Sequence, residues 1–273
     1  MNDTAETSDD DTAAADSAAA VARAYAAEVT AELDAVLDGA LKAAYLHGSA
    51  VFGGWTAERS DVDILFLTAD DLSAAAAARA GQALLSAADG CPGRGGLESS
   101  VVTAGAAARP GPPWPFVLHV GVREGNQVLY SGREHGGDTD LLMHYVACRA
   151  AGVALTGPPP EAAIGAVSRP LVLEYLAGEL GWGLANAPEN YAVLNACRAL
   201  AYLRRGQIIG KVAGGQATLD EGSGPADVVR RALDQQRART PERSPRPDAV
   251  AFVEEVAAAL RAAAATPGAS PPA

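Results

Sequence analysis

The chain has 273 residues, 49% of them hydrophobic but only 5% aromatic, with a formal net charge of −12. That length suits two modest domains whose cores rest on Ala, Val and Leu. The acidity disfavours a nucleic-acid partner, whose phosphate backbone asks for clustered positive charge, and instead suits a small cationic molecule.

Residues 1–17 are rich in Asp, Thr, Ala and Ser, and are expected to form a disordered acidic tail. Residues 18–37 carry helical spacing, with Val21, Tyr25, Val29, Leu33 and Leu37 on one face. A short apolar stretch, 43–46, leads into His47-Gly48-Ser49 and on to Gly53-Gly54. Strands are predicted over 62–67, 97–103 and 116–122, and a helix over 71–87. Asp138 is expected to cap a helix reaching about Ala151. This alternation of strands and helices predicts an α/β domain over residues 18–157.

Gly157-Pro158-Pro159-Pro160 is the clearest interior linker. Beyond it the spacing predicts helices over 171–184, 191–204, 226–237 and 249–264. Breaks fall at Gly214-Gly215 and over 240–247, and residues 266–273 read as a second disordered tail. Residues 158–265 are thus expected to be a small all-α domain. The N-terminus is acidic, with no basic region before an apolar one, and no run of about 18 apolar residues reads as a membrane span. Cys91, Cys148 and Cys197 show neither metal spacing nor a disulfide framework. The expectation is a cytoplasmic monomer with no membrane partner and no nucleic acid.

The informative segment joins Gly48-Ser49 to Ser60-Asp61-Val62-Asp63. Residues two apart on a strand project from the same face, so Asp61 and Asp63 lie side by side. Two adjacent carboxylates repel unless a cation intervenes. Mg²⁺ suits them, because it takes hard oxygen ligands and bridges to phosphates. Gly48-Ser49 stands where a strand turns into a helix; a glycine there lets the backbone approach a phosphate, and free N–H groups with the Ser hydroxyl donate to it. A phosphate cradle beside a metal pair suits phosphoryl or nucleotidyl transfer. His47 reads as a polar residue ending the strand, and His119, His135 and His144 show no metal-site spacing.

These residues match the signature of the nucleotidyltransferase superfamily related to DNA polymerase β. From about residue 20 to 220 the chain resembles the aminoglycoside (3'')(9) adenylyltransferases, which inactivate streptomycin and spectinomycin. Residues 141–157, ending in Val153-Ala154-Leu155-Thr156-Gly157-Pro158, look like the segment that precedes that family's helical domain. Asn195-Ala196-Cys197-Arg198, Gly206 and Lys211 resemble its C-terminal signature. The fold implied is a mixed sheet with flanking helices followed by a helical domain, with ATP as substrate and Mg²⁺ bound by Asp61 and Asp63. Glu98 matches the general base, or equally a third metal ligand. Gly48, Ser49, Ser60, Arg198 and Lys211 match the nucleotide contacts, with Arg198 inside a helix and Lys211 in the loop after it.

On the acceptor side, Trp114 and Trp182 match family tryptophans, and Tyr191 stands where drug-modifying members carry a histidine. Residues 183–188 contain no carboxylate, leaving Glu179 and Glu189 as the acids nearest a cationic acceptor. The resemblance therefore implies AMP transfer to an aminocyclitol or aminoglycoside hydroxyl, with spectinomycin favoured over streptomycin. Two alternatives stay open: another small metabolite or a protein as acceptor, and a nucleotide-binding module without catalysis.

Overall fold

The computed structural model describes residues 6–123, 126–238 and 244–266. The chain divides into two compact units, Met1–Ala166 and Val167–Ala273. The division falls after the Gly157–Pro160 segment, because the short helix Pro160–Ala163 at its far end remains with unit 1.

Unit 1 opens with α1 (Glu6–Leu37), so helix reaches into the stretch read as a tail. Its alanine content favours this. Residues 1–5, and 267–273 of the expected C-terminal tail, lie outside the described residues. Ala22, Tyr25, Ala26, Val29, Leu33 and Leu37 are buried, whereas Val21 is 50% exposed, so the buried stripe lies one residue over from Val21. The Tyr25 hydroxyl donates to the Ala87 carbonyl at 3.0 Å, tying α1 to α3 (Ala74–Ala88).

Six strands form one sheet: β1 (Leu41–His47), β2 (Asp61–Thr68), β3 (Gly96–Thr103), β4 (Leu118–Arg123), β5 (Asn126–Ser131) and β6 (Val153–Thr156). Their spatial order is β5-β4-β3-β2-β1-β6. Only β2 and β3 pair in parallel; the other neighbours are antiparallel, which makes the sheet mixed. A parallel neighbour needs a crossover, and α3 supplies it. Alternation sorts the side chains by face. Leu46, Val62, Ile64, Phe66, Leu97 and Val120 enter one core with residues of α1 and α3. The opposite face carries Asp61, Asp63 and Glu98 together with the buried Tyr45, Leu65, Leu67 and Val102.

The remaining elements of unit 1 are α2 (Ser49–Phe52), α4 (Ala104–Ala108), α5 (Leu141–Ala151) and α6 (Pro160–Ala163). The expected cap at Asp138 is shifted: Asp140 is the N-cap residue of α5 and makes no side-chain cap bond. Asp138 instead braces the preceding turn, its Oδ1 accepting from the Asp140 N–H at 3.0 Å.

The described residues of unit 2 form α7 (Arg169–Asn186), α8 (Glu189–Arg205), α9 (Lys211–Asp220), α10 (Ala226–Ala238) and α11 (Pro247–Ala264). α8 is central, packing against α7, α9, α10 and α11. It ends at Gly206, whose left-handed conformation (φ 66°) lets its N–H reach the Tyr202 carbonyl at 2.8 Å. α9 corrects the sequence reading, which placed Lys211 in a loop and a break at Gly214-Gly215. These glycines are packing contacts inside a helix. A Cβ on Gly214 would press on Arg198, and one on Gly215 on Leu194 and Leu233. Among the described residues, no helix is long and apolar enough to cross a membrane.

Candidate functional site

The parallel register of β2 and β3 builds the site. Asp61 lies opposite Gly96, and Asp63 opposite Glu98. The strands bring Asp63 and Glu98 abreast, and the pleat returns Asp61 to the same face two residues away. Carboxylate oxygens of Asp61, Asp63 and Glu98 all lie within 4.8 Å of one another, and all three residues are half-buried. Three hard oxygen donors at that spacing fit a divalent cation such as Mg²⁺, which commonly keeps waters and substrate oxygens in its remaining positions.

Gly48 sits against this group. It ends β1 with φ 68°, a conformation that favours glycine. A Cβ there would overlap the Asp63 carboxylate, so the residue is glycine for two separate reasons. Ser49 begins α2, and its Oγ is buried without a hydrogen-bond partner among the described residues. Ser60 is committed to the loop before β2: its Oγ accepts from the Thr56 N–H at 3.0 Å. Trp55 Nε1 donates to the Asp61 carbonyl at 2.8 Å and steadies the start of β2.

Histidines crowd Glu98, which sequence reasoning did not foresee. His144 Nε2 lies 3.5 Å from Glu98 Oε1. His47, opposite Asp63 on β1, has its ring centroid 4.8 Å from that of His144. His119 Nδ1 lies 3.0 Å from Ser100 Oγ, one pleat further along β3. The His144 hydrogen bond, with the nearby imidazoles, draws the Glu98 carboxyl down to about 2 against the opposing effect of burial. Glu98 is therefore ionised throughout the neutral range, the form in which it can take a proton or bind a cation. His144 lies on α5 beside the buried Leu141, Tyr145 and Cys148.

Burial, and next the His144 charge, lower the His47 imidazole to about 3. A base whose folded pKa is depressed contributes stability above its unfolded pKa, and that contribution is lost as pH falls toward the folded value. His47 should therefore cost the fold about 2 kcal/mol between pH ~6.5 and pH ~5. Urea unfolding at those two values should show this loss in the wild type and a smaller one in His47→Phe. Parallel pH dependences in the two proteins would contradict it.

In unit 2, Arg198 faces inward. Its Nε donates to the Ile209 carbonyl at 2.9 Å and its Nη1 to Asn195 Oδ1 at 3.0 Å. Burial lowers its pKa, while Tyr191, Glu179 and Tyr175 act the other way. Lys211 Nζ stands 4.4 Å from the centroid of the Tyr191 ring. The Tyr191 hydroxyl donates to Glu179 Oε2 at 3.4 Å. Trp182, 53% exposed, meets Tyr191 edge-on at 6.1 Å. The structure thus gathers Trp182, Tyr191, Glu179 and Lys211. Trp114 belongs to unit 1 and is 5% exposed, so it offers little ring surface to a ligand.

Glu189 corrects the sequence reading. It was counted among the acids near a cationic acceptor, but it is 0% exposed. Its carboxylate accepts from Arg231 Nε at 2.7 Å, Gln235 Nε2 at 3.3 Å and the Arg246 N–H at 2.8 Å. All its oxygens serve the packing of unit 2.

Residues 174–262 match the family described as aminoglycoside adenylyltransferase, C-terminal domain. No curated protein matches the sequence. Among solved structures, the chain is similar to the crystal structure of spectinomycin adenyltransferase AAD(9) from Enterococcus faecialis with ATP and spectinomycin. The TM-score is 0.61 at 17% identity, over 87% of this chain and 97% of that one. At that identity the likeness speaks for the fold.

Proposed function

We propose that the chain transfers AMP from ATP to a hydroxyl of an aminocyclitol or aminoglycoside, spectinomycin before streptomycin; the match of residues 174–262 to the aminoglycoside adenylyltransferase C-terminal domain family supports this reading. The observation that carries this reading is the convergence of Asp61, Asp63 and Glu98 on one sheet face beside Gly48.

Asp61 and Asp63 would hold Mg²⁺, which supplies neutralisation of phosphate charge. Gly48 lets the backbone at Gly48-Ser49 come close to phosphate oxygens, and the Ser49 hydroxyl, otherwise without a partner among the described residues, donates to one. Glu98 takes the proton of the acceptor hydroxyl as its oxygen bonds to the α-phosphorus. The bond from the α-phosphorus to the bridging oxygen breaks, and pyrophosphate leaves with that electron pair. Ser60, Arg198 and Lys211 are the further nucleotide contacts proposed from the resemblance; a guanidinium fork and an ammonium are apt phosphate binders. Trp182 and Tyr191 are the proposed acceptor contacts in unit 2, and the burial of Trp114 in unit 1 removes it from that set.

A second reading has its own observation. With Glu189 sequestered, the acid near Tyr191 is Glu179, which accepts a hydrogen bond from it. The loss of Glu189 from the acceptor side favours an acceptor less cationic than streptomycin, and extends to a different small metabolite.

Pyrophosphate release from ATP and Mg²⁺, measured with spectinomycin and streptomycin separately, tests both readings. Release with spectinomycin that falls by about a hundredfold or more in Glu98→Gln is expected from loss of a general base. Release with neither drug would move the acceptor to another class. Undiminished release in Glu98→Gln would remove Glu98 from the chemistry.

A further inference from the structure

A buried histidine with a ring nitrogen that lacks a partner costs desolvation energy that an apolar residue would not. His144 is such a residue. Its side chain is only 12% exposed, and its Nδ1 is buried with no hydrogen-bond partner among the described residues. It lies on α5, which packs on β1 beside the buried Leu141, Tyr145 and Cys148, where Leu or Phe would be cheaper. Its ring approaches Glu98, with Nε2 3.5 Å from Oε1. The His47 ring, tilted 48° at 4.8 Å, backs it from β1.

We propose that His144 is a positioning residue for Glu98. Its Nε2–H holds one carboxylate oxygen and so directs the other toward the acceptor hydroxyl beside Asp61 and Asp63. The 3.5 Å separation is long for an N–H···O bond. Catalytic hydrogen bonds are often long in the unliganded state and tighten in the reactive complex. The chemistry is that of outer-shell partners, which orient a working ligand without touching substrate. His47 packs against the ring, and its own Nε2 is buried without a hydrogen-bond partner among the described residues. The inference rests on the reading of Glu98 as general base.

The test compares His144→Leu, His144→Gln and Glu98→Gln in the full chain. His144→Leu should lower kcat by about 10- to 100-fold while leaving KM for ATP within about twofold, and it should not lower the melting temperature. His144→Gln keeps an N–H donor near the same place and should recover much of the loss. Wild-type kcat in His144→Leu, or a glutamine variant no better than the leucine variant, would overturn the proposal. A fully active Glu98→Gln would instead sink the general-base reading, whatever the His144 variants do. An arm that needs no acceptor is ¹⁵N NMR of the histidine rings at about pH 8. The His144 proton should reside on Nε2, with a resonance that shifts in Glu98→Gln. A proton on Nδ1 with Nε2 bare would contradict the assignment.

Discussion

Replacing Asp63 by asparagine should lower nucleotidyl transfer by about a thousandfold and leave the fold intact. The loss follows from the geometry: Asp63 faces Glu98 across the parallel register and completes the three-carboxylate group. Losing one hard, charged ligand forfeits several kcal/mol of transition-state charge stabilisation, and about 4 kcal/mol is a thousandfold in rate. The fold should be spared because the substitution removes one of three mutually repelling carboxylates. The packing around the site holds too, since Ile64 and Val62 on the other face of β2 are untouched. Rates of pyrophosphate release, paired with thermal unfolding, check both halves. Activity within tenfold of wild type would be incompatible with a metal held at Asp63.

The largest expected effect on stability lies far along the sequence from that chemistry, at Glu189. Glu189→Ala should cost about 3 kcal/mol, because removing one partner from a buried, hydrogen-bonded ion pair strands the other charge. Arg231 is the residue stranded, although its second bond to Asp248, 2.9 Å away and largely in solvent, limits the damage. Gln235 and the Arg246 N–H lose an acceptor at the same time. Removing Asp248 instead should matter little, since exposed pairs contribute little. Chemical denaturation of the two variants against wild type measures the contrast. A loss of under about 1 kcal/mol for Glu189→Ala would mean the pair is far better solvated than its burial indicates.

The three-carboxylate group was legible because it depends on local rules. Asp61 and Asp63 share a face through the period of a strand, and Glu98 joins them through a strand that pairs directly with theirs. What escaped depends on long-range packing. His144 lies many residues from Glu98, and its meaning comes only from α5 lying across β1. Glu189 looked like a surface acid at a helix start until α10 and the Arg246 backbone closed over it. α9 was hidden because Gly214 and Gly215 read as breakers, whereas close packing on α8 and α10 overrides their weak propensity. The strands β5 and β6 were missed for another reason. Both are edge strands, and β5 is exposed almost throughout, so neither shows a clean apolar alternation.

The most direct test of nucleotidyl transfer at this site is the mass of the acceptor itself. Spectinomycin incubated with the protein, ATP and Mg²⁺ should gain one AMP unit, with pyrophosphate formed in equal amount. The product should vanish when the divalent cation is chelated and in Asp63→Asn. Unmodified drug with ATP consumed to ADP and phosphate would contradict the account, because that outcome is hydrolysis rather than transfer of a nucleotidyl group.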